Sequence, residues 1–267
     1  MATPESKPDL LLCINVGNTN TAFAAMRGSV LVARAVVATA NVLERGVGAG
    51  LADLVPRIGQ SSPLFVGAAL ASVVPAATET LRVGLDQRAI SLLIVVGMHS
   101  PGMVVGVDEP DRVGPDRVAN ALGLLATCGY PAIAVDAGTA TTLDVVDGTG
   151  TFVGGSIAAG AGTSLRSLHD YTARLPLLSL GEGGPARPAA IGRDTHSAML
   201  AGALLGHAGL IDRLVEQTRS ELGGTAICIA TGGLASLLAP HCRTISRVDP
   251  DLSFRGLAYA WGCARVC

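Results

Sequence analysis

Two short glycine turns carry residue types that bind phosphate. The first turn reads Asn-Val-Gly-Asn-Thr over residues 15–19, and the second reads Asp-Ala-Gly-Thr-Ala-Thr over residues 136–141. Each turn places an amide or a carboxylate two residues before a glycine, with hydroxyl residues just beyond it. Glycine lets backbone N–H groups approach a phosphate closely, and Asn or Thr side chains supply further donors. We expect the two turns to face one another and to hold a nucleotide triphosphate from both sides.

The lysine content limits the kinds of phosphate site that remain. Lys7 is the single lysine, and every other basic residue except histidine is an arginine. A P-loop lysine, a Schiff-base lysine and the ATP-binding lysine of protein kinases are therefore excluded. Either turn alone also fits an ordinary hairpin. Their repetition in one chain without such a lysine favours phosphate binding through backbone amides and hydroxyls.

A possible proton acceptor stands in the segment Gly114-Pro115-Asp116-Arg117. Proline and an acidic residue in a first helical turn are typical of a helix start, which needs no chemical role. In the functional interpretation, Asp116 takes the proton of an acceptor hydroxyl while Arg117 holds an acidic group or a phosphate. A third glycine turn, over residues 231–233, follows a predicted strand and opens a predicted helix, whose N-terminus favours an anion.

The elements that would position these turns occur twice. Alternating apolar patterns predict three strands in each half of the chain, over residues 10–16, 21–26 and 30–37 and over residues 132–136, 141–146 and 151–157. Further strands are predicted at 64–69, 91–96 and 226–230, and helices at 41–57, 75–88, 116–127, 163–174, 195–222 and 252–263. The repeat indicates an internal duplication in an α/β protein, with domains over residues 1–128 and 129–267.

The composition indicates a globular protein. Of 267 residues, 49% are hydrophobic, the formal net charge is -2, and the chain has no basic run. These values give no reason to expect nucleic acid or a membrane as a partner. The polar first nine residues are unlike a secretory signal, and no uncharged apolar stretch approaches the ~18 residues that cross a bilayer. A cytoplasmic protein is expected, with six reduced cysteines, and with histidines in surface or capping roles.

Six motifs, in order along nearly the whole chain, together resemble a type III pantothenate kinase. They lie at residues 15–20, 114–117, 135–142, 154–157, 192–195 and 231–233. The resemblance implies two duplicated actin-like ATPase or sugar-kinase (ribonuclease H-like) domains, each with a mixed five-stranded sheet flanked by helices, in a homodimer. It implies ATP-dependent phosphorylation of pantothenate to 4'-phosphopantothenate, the first step of coenzyme A biosynthesis.

The resemblance also assigns roles to residues. Asp116 would be the catalytic proton acceptor, Asp136 would hold a monovalent cation (K⁺ or NH₄⁺), and Mg²⁺ would accompany the nucleotide. The residues implied in ATP binding are Asn15, Val16, Gly17, Asn18, Thr19, Asn20, Thr21, Ala22 and Thr139. The residues implied in pantothenate binding are Val107, Gly114, Pro115, Asp116, Arg117 and Thr195.

Two positions depart from the family pattern. Asn15 stands where the family has Asp, so the first turn loses a charge that helps to place magnesium and phosphates. Val107 stands where the family usually has a Tyr that touches pantothenate, so one hydroxyl contact is lost. Two alternatives follow: a weakened or inactive relative that binds nucleotide in a regulatory role, and a kinase of the same superfamily for another hydroxylated acceptor.

Overall fold

The chain folds into two compact units. The computed structural model describes residues 10–59, 63–95, 100–180 and 188–265. The first unit comprises the chain up to Thr127 together with the segment from Asp251 onward, and the second comprises Cys128–Pro250. The chain passes from the first unit to the second after Thr127, and the predicted domain boundary follows residue 128. The predicted second domain, in contrast, ran to residue 267, and the structure returns its last helix to the first unit.

The first unit contains a five-stranded mixed sheet. Its strands are β1 (Leu10–Val16), β2 (Asn20–Arg27), β3 (Val30–Ala38), β4 (Phe65–Ser72) and β5 (Leu92–Ile94). They lie in the order β3-β2-β1-β4-β5, with β1, β2 and β3 antiparallel and with β4 and β5 parallel to β1. The helices are α1 (Thr39–Arg45), α2 (Val47–Ile58), α3 (Pro75–Asp86), α4 (Pro115–Thr127) and the C-terminal α9 (Leu252–Ala264), and a two-residue strand, β6 (Val104–Val105), and a 3₁₀ turn (Pro110–Arg112) precede α4.

Strand β1 is buried on both faces, which explains its continuous run of apolar residues. Ile14 and its neighbours on one face pack in a core with residues of α1, α2 and α3. Leu11 and Cys13 on the other face pack in a second core with Val118 and Leu122 of α4. Because side chains alternate along a strand, Asn15 belongs to the face that α4 covers.

Helix α9 joins the first unit because it packs closely along α4. A side chain on Gly256 would collide with the backbone of Ala119, and one on Gly123 would collide with the backbone of Leu252, so both helices need glycine at the contact. At the start of α9, Asp251 accepts a charged hydrogen bond of 3.2 Å from Arg34 of β3. Periodicity predicted this helix but carried no information about its partner.

One predicted helix is wrong. Residues 41–57 were expected to form a single helix, but the chain breaks at Gly46 between α1 and α2. Gly46 has φ 60° and ψ -147°, a conformation outside the helical region, while its N–H still donates to the carbonyl of Val42 at 2.8 Å.

The second unit repeats the strand order of the first. Its strands are β7 (Ala132–Ala137), β8 (Ala140–Val146), β9 (Thr151–Ala159), β10 (Ile227–Thr231) and β11 (Arg247–Val248). They lie in the order β9-β8-β7-β10-β11, with β7, β8 and β9 antiparallel and with β10 and β11 parallel to β7. The predicted α/β class and internal duplication are confirmed.

The helices of the second unit lie between and after these strands. They are α5 (Ala161–Asp170), α6 (Thr195–Ala201), a π-helical stretch (Gly202–Gly206), α7 (His207–Glu221), α8 (Ala235–Leu238) and a 3₁₀ turn (Ala239–His241). Leu204, Ile211 and Val215 pack against residues of β7, β8 and β10 in the core of the unit. The long predicted helix over 195–222 is therefore present, with a π-helical interruption in its middle.

The segment Thr195–Glu221 is also long and apolar enough to cross a membrane, judged by length and composition within the described residues. Its most apolar window has a mean hydropathy of 1.4, and 56% of that window is buried inside the structure. The packing of this segment on the sheet of the second unit accounts for its apolar composition, because a core helix passes the same test.

Candidate active site

The first glycine turn joins β1 to β2 and is held by backbone and hydroxyl groups. The Gly17 N–H donates to the Asn20 carbonyl at 2.9 Å. A Cβ atom at Gly17 would lie 3.1 Å from that carbonyl oxygen, so the tight turn favours glycine. At the start of α1, the Thr39 N–H donates to the Thr19 carbonyl at 2.9 Å, and the Thr39 hydroxyl donates to the Gly17 carbonyl at 2.7 Å.

A buried hydroxyl pair anchors the same turn. The hydroxyl oxygens of Thr21 and Thr39 lie 3.0 Å apart, and the two residues are 0% and 2% exposed. Asn18 and Thr19, at the tip, are exposed. The turn therefore presents exposed groups on a frame that is fixed by buried hydrogen bonds, which suits repeated binding of an anion.

Asn15 lies half-buried at the end of β1, in contact with the start of α9. Its amide nitrogen donates to the hydroxyl of Ser253 at 3.3 Å, and Ser253 is 8% exposed. A carboxylate at this position would instead accept a hydrogen bond from that hydroxyl. The amide thus occupies the position where the resemblance implies an acidic residue, and it lacks the negative charge.

Asp116 heads α4, as the sequence predicts. It is half-buried, and its Oδ1 atom accepts a hydrogen bond from the Arg117 N–H at 2.9 Å. Burial raises the pKa of Asp116, while the hydrogen bond from the Arg117 backbone and the charge of Arg117 lower it in part. A carboxylate with a raised pKa is a better proton acceptor than an ordinary aspartate.

The other predicted acceptor-binding residues of the first unit surround this helix start. Gly114, Pro115 and Arg117 are half-buried, and a side chain at Gly114 would approach Asp116 Oδ1 to 2.5 Å. Val107 is half-buried in the loop between β6 and the 3₁₀ turn. Its side chain offers no hydrogen-bonding group, so this part of the site is apolar.

The second glycine turn joins β7 to β8. The Gly138 N–H donates to the Ala140 carbonyl at 3.0 Å, and Thr139 is exposed at the tip. The carbonyl of Thr139 accepts two hydrogen bonds, from the Gly160 N–H at 3.0 Å and from the Thr163 hydroxyl at 2.6 Å. A side chain at Gly160 would collide with the backbone of this turn.

Asp136 and the third glycine turn come together at the ends of β7 and β10. Gly232 has φ +89°, and a side chain there would collide with Asp136 Oδ1 and with the backbone of Ala137. The Leu234 N–H donates to the Ala137 carbonyl at 2.9 Å. The predicted anion site at a helix N-terminus is not supported, because α8, which follows this turn, has four residues and so lacks a substantial dipole.

Asp136 is the residue that the resemblance assigns to a cation. Asp136 supplies carboxylate oxygens, the kind of ligand that hard cations prefer. Among the described residues no group of three or more His, Cys, Asp or Glu side chains could hold a metal ion.

Thr195 is exposed at the first position of α6 and lines a pocket of about 760 Å³ in the second unit. The helix start is capped by Asp194, whose carboxylate accepts from the Ser197 N–H at 2.8 Å. The pocket is mainly apolar with three hydroxyl groups; its lining residues are Ala159, Ser164, Leu165, Ser167, Leu168, Leu175, Thr195, Ala198, Met199, Gly202 and Ala203. Thr195 thus lies in the second unit, whereas the other predicted acceptor contacts lie in the first.

Sequence reasoning missed two buried polar residues near the second turn. Asp144 on β8 is 0% exposed, and one of its carboxylate oxygens accepts from the Thr142 hydroxyl at 3.3 Å. An acidic residue inside the apolar run of β8 was the available signal. His207 is 6% exposed and lies 2.8 Å from the Thr141 hydroxyl, so its predicted surface role is wrong. His169 and His196 are exposed, as expected, and His99 lies outside the described residues.

The described cysteines form no disulfide. Burial raises the pKa of the Cys228 and Cys242 thiols to about 12, and burial also raises the pKa of Cys13. Protonated thiols are poor nucleophiles and poor metal ligands, so these three buried thiols are unsuited to either role.

Comparison with known proteins gives the same family as the motifs. A family model described as type III pantothenate kinase matches residues 11–217. A type III pantothenate kinase of Thermomicrobium roseum is 39% identical, over 94% of this chain and 96% of its own length. That of Rhodospirillum rubrum is 40% identical, over 93% of this chain and 96% of its own length.

Solved structures agree on the fold alone. A conserved putative Baf family transcriptional activator from Campylobacter jejuni has a TM-score of 0.62 at 18% identity, over 96% of this chain and all of its own. The ethanolamine utilization protein EutJ from Carboxydothermus hydrogenoformans has a TM-score of 0.57 at 15% identity, over 97% of this chain and 92% of its own. The duplicated mixed sheets are those of the actin-like ATPase and sugar-kinase fold, and the chain belongs to the type III pantothenate kinase family.

Proposed function

We propose that the protein transfers the γ-phosphoryl group of ATP to the primary hydroxyl of pantothenate, giving ADP and 4'-phosphopantothenate in the first step of coenzyme A biosynthesis. The type III pantothenate kinases of Thermomicrobium roseum and Rhodospirillum rubrum match it over more than nine tenths of both chains. The observation that carries the proposal within the structure is Asp116, a half-buried carboxylate at the head of α4 whose pKa is raised by burial.

Asp116 acts as the proton acceptor in this reaction. The hydroxyl oxygen of the acceptor forms a bond to the γ-phosphorus, the bond to the β–γ bridging oxygen breaks, and the hydroxyl proton goes to the Asp116 carboxylate. The Arg117 N–H holds Oδ1 at 2.9 Å, which keeps the carboxylate oriented during the transfer. Positioning and charge stabilisation dominate phosphoryl transfer, so a fixed carboxylate is what the chemistry needs.

The nucleotide is bound by the two glycine turns, each through its own exposed tip. In the first unit the binding segment is residues 15–22, of which Asn18, Thr19 and Asn20 are exposed, and in the second unit the principal group is the exposed Thr139. Mg²⁺ bound with the nucleotide supplies charge neutralisation at the phosphates. Asp136 would hold a monovalent cation, K⁺ or NH₄⁺, through its carboxylate oxygens.

The acceptor is bound by Gly114, Pro115 and Arg117, by Val107 and by Thr195. Arg117 pairs with the carboxylate of pantothenate, for which a guanidinium is well matched. Val107 contacts the apolar part of the acceptor, since it lacks the hydroxyl that the family usually has at this position.

The protein acts as a homodimer in the cytoplasm. Several large apolar residues of the second unit are exposed, among them Leu168 at 41%, Leu177 at 53%, Ile191 at 83% and Tyr171 at 88%. Leu168 also lines the 760 Å³ pocket beside Met199. An exposed apolar residue beside an apolar pocket, together with further exposed apolar residues in the same unit, supports a contact with a second copy.

Two specific residues favour the alternatives. Asn15 in place of an acidic residue favours a relative that binds nucleotide but transfers phosphate slowly or not at all, in a regulatory role. Val107 in place of a tyrosine favours a different hydroxylated acceptor.

The test is ADP release by the purified protein with ATP, Mg²⁺ and K⁺, with and without pantothenate. We expect pantothenate-dependent ADP release, and we expect Asp116→Ala to lower kcat by about 10²- to 10⁴-fold, the usual contribution of a general base. His241→Ala, which changes a partly buried residue in a 3₁₀ turn of the second unit, is the matched control.

The alternatives have distinct outcomes in the same assay. Nucleotide binding without turnover, together with activity gained in Asn15→Asp, would establish the weakened relative. Turnover with another hydroxylated compound but not with pantothenate would establish the different acceptor. A protein that neither binds nucleotide nor releases ADP would refute the proposal.

A further inference from the structure

His207 occupies an unusual place in the second unit. It begins α7 directly after the π-helical stretch Gly202–Gly206, and it is 6% exposed. Its Nε2 atom lies 2.8 Å from the hydroxyl of Thr141, which is 1% exposed. Two buried polar side chains, 66 positions apart in the chain, therefore satisfy one another, which is the condition for burying them without a large cost.

Thr141 stands at the base of the second glycine turn. It pairs with Ala137 in the register of β7 and β8, and this pair closes the hairpin that carries Gly138 and Thr139. A hydrogen bond to Thr141 consequently restrains the strand position from which the Thr139 tip projects. His207 reaches this strand from a helix that is otherwise distant in sequence.

The π-helical stretch explains how the histidine reaches the strand. A π-helical turn widens the helix and shifts the following residues around the axis, and such turns are frequent at functional sites. Ahead of His207 on the same helical segment, Thr195, Met199 and Ala203 line the 760 Å³ pocket. The segment that lines this pocket is therefore linked to the hairpin of the second turn through His207.

In the first unit, the base of the glycine turn is restrained without a histidine. Its equivalent residue, Thr21, pairs with Val16 at the base of the first turn and is hydrogen bonded to Thr39, eighteen residues away. The hydroxyl of Thr39 also donates to the turn itself. In the second unit that work is divided, because Thr163 holds the turn carbonyl and His207 holds the base of the hairpin.

We infer that His207 is a positioning residue for nucleotide binding, which fixes the second glycine turn from the helix that lines the pocket. The inference rests on the proposed function for the identity of the ligand. Burial lowers the pKa of His207, so the imidazole is neutral at neutral pH and bonds to the Thr141 hydroxyl in either tautomer.

The experiment compares His207→Ala, His207→Gln, Thr141→Val and Thr141→Ser with the wild-type protein. Binding of ATP is measured by calorimetry, and KM for ATP, KM for the acceptor and kcat are measured where turnover occurs. A buried hydrogen bond contributes about 1 kcal/mol, so His207→Ala and Thr141→Val each weaken ATP binding by about 5- to 10-fold. KM for the acceptor changes less than KM for ATP.

The conservative and double variants separate positioning from general destabilisation. His207→Gln and Thr141→Ser keep a hydrogen-bonding group and return ATP affinity to within about 3-fold of the wild type. The double variant His207→Ala/Thr141→Val binds ATP as weakly as either single variant, because both remove one interaction. His241→Ala serves as the control histidine.

Unchanged ATP affinity in folded His207→Ala, or additive losses in the double variant, would overturn the inference. Should His207→Ala fail to fold, the comparison of Thr141→Val with Thr141→Ser decides the matter. ATP binding is measured without turnover, so a protein that fails to phosphorylate pantothenate still tests the role of His207.

Discussion

The two glycine turns share a backbone frame but differ in the side chains that support them. In each, an N–H at the end of the third strand donates to a turn carbonyl, from Thr39 to Thr19 at 2.9 Å and from Gly160 to Thr139 at 3.0 Å. In each, a threonine hydroxyl also donates to a turn carbonyl, from Thr39 at 2.7 Å and from Thr163 at 2.6 Å. After duplication, the main-chain geometry of the turn was retained in both halves.

The supporting residues have diverged. At the residue two before the glycine, the first turn has the neutral Asn15 beside Ser253, and the second has Asp136 beside the bare backbone of Gly232. The Asp136 carboxylate lies where a side chain at position 232 would collide with it, so glycine is needed there. The Asn15 amide is hydrogen bonded to the Ser253 hydroxyl. The shared backbone of the two turns therefore presents the phosphate-binding groups, and the residue two before the glycine, Asn15 or Asp136, determines whether the turn carries a negative charge.

The largest expected effect comes from Gly232→Ala. The new side chain meets Asp136 Oδ1 and the backbone of Ala137, and φ +89° is strained for any residue with a Cβ. We expect a loss of about 3 kcal/mol in the free energy of unfolding, measured by urea denaturation. Gly233→Ala is the matched control, because nothing lies within 4 Å of its added Cβ, and it should lose less than about 1 kcal/mol. Equal losses in the two variants would contradict this reading of the third turn.

The next effect comes from the buried carboxylate Asp212 of α7. It accepts hydrogen bonds from the Arg243 N–H at 2.9 Å and from the Thr244 hydroxyl at 2.7 Å. Burial acts to raise its pKa, but these donors outweigh burial and lower the pKa. Asp212→Asn should cost about 2 kcal/mol at pH 7, because a charged acceptor is lost. The cost should shrink as the pH falls through the lowered pKa, because protonation of Asp212 removes the same stabilisation.

The matched pair Thr39→Val and Thr163→Val tests the shared frame directly. Thr39 is 2% exposed and bonds to both Thr21 and the Gly17 carbonyl, so its loss should cost about 1 to 2 kcal/mol of stability. Thr163 is more exposed and makes one such bond, so its loss should cost less than about 1 kcal/mol. Chemical denaturation of both variants measures the difference, and a larger cost for Thr163→Val would reverse the comparison.

The smallest effect concerns Asp116, whose pKa is shifted in the opposite direction to that of Asp212. Because burial raises its pKa, ionised Asp116 destabilises the folded protein at neutral pH. Asp116→Asn should therefore raise the free energy of unfolding at pH 7 by less than about 1 kcal/mol. The gain should vanish below about pH 4, where the unfolded carboxyl is also protonated. A variant less stable than the wild type at pH 7 would contradict the assignment.

Much of the local structure was readable in the sequence. Strand β1 was predicted with its observed ends, since a central strand is apolar throughout and a glycine turn follows it. The helix start at Asp116 and the duplicated strand order were also predicted correctly. The break at Gly46 was missed, because one glycine in an apolar helical pattern does not show whether the chain kinks or continues.

The sequence by itself determined the two turns, the strands that flank them and the helix that carries Asp116, because those features depend on residue periodicity and on glycine over short distances. Tertiary structure alone decided that α9 returns to α4, that Gly232 lies against Asp136 and that His207 reaches Thr141. Each of these contacts joins residues far apart in the chain. Such contacts depend on which faces pack together, and a local pattern of residues does not encode that choice.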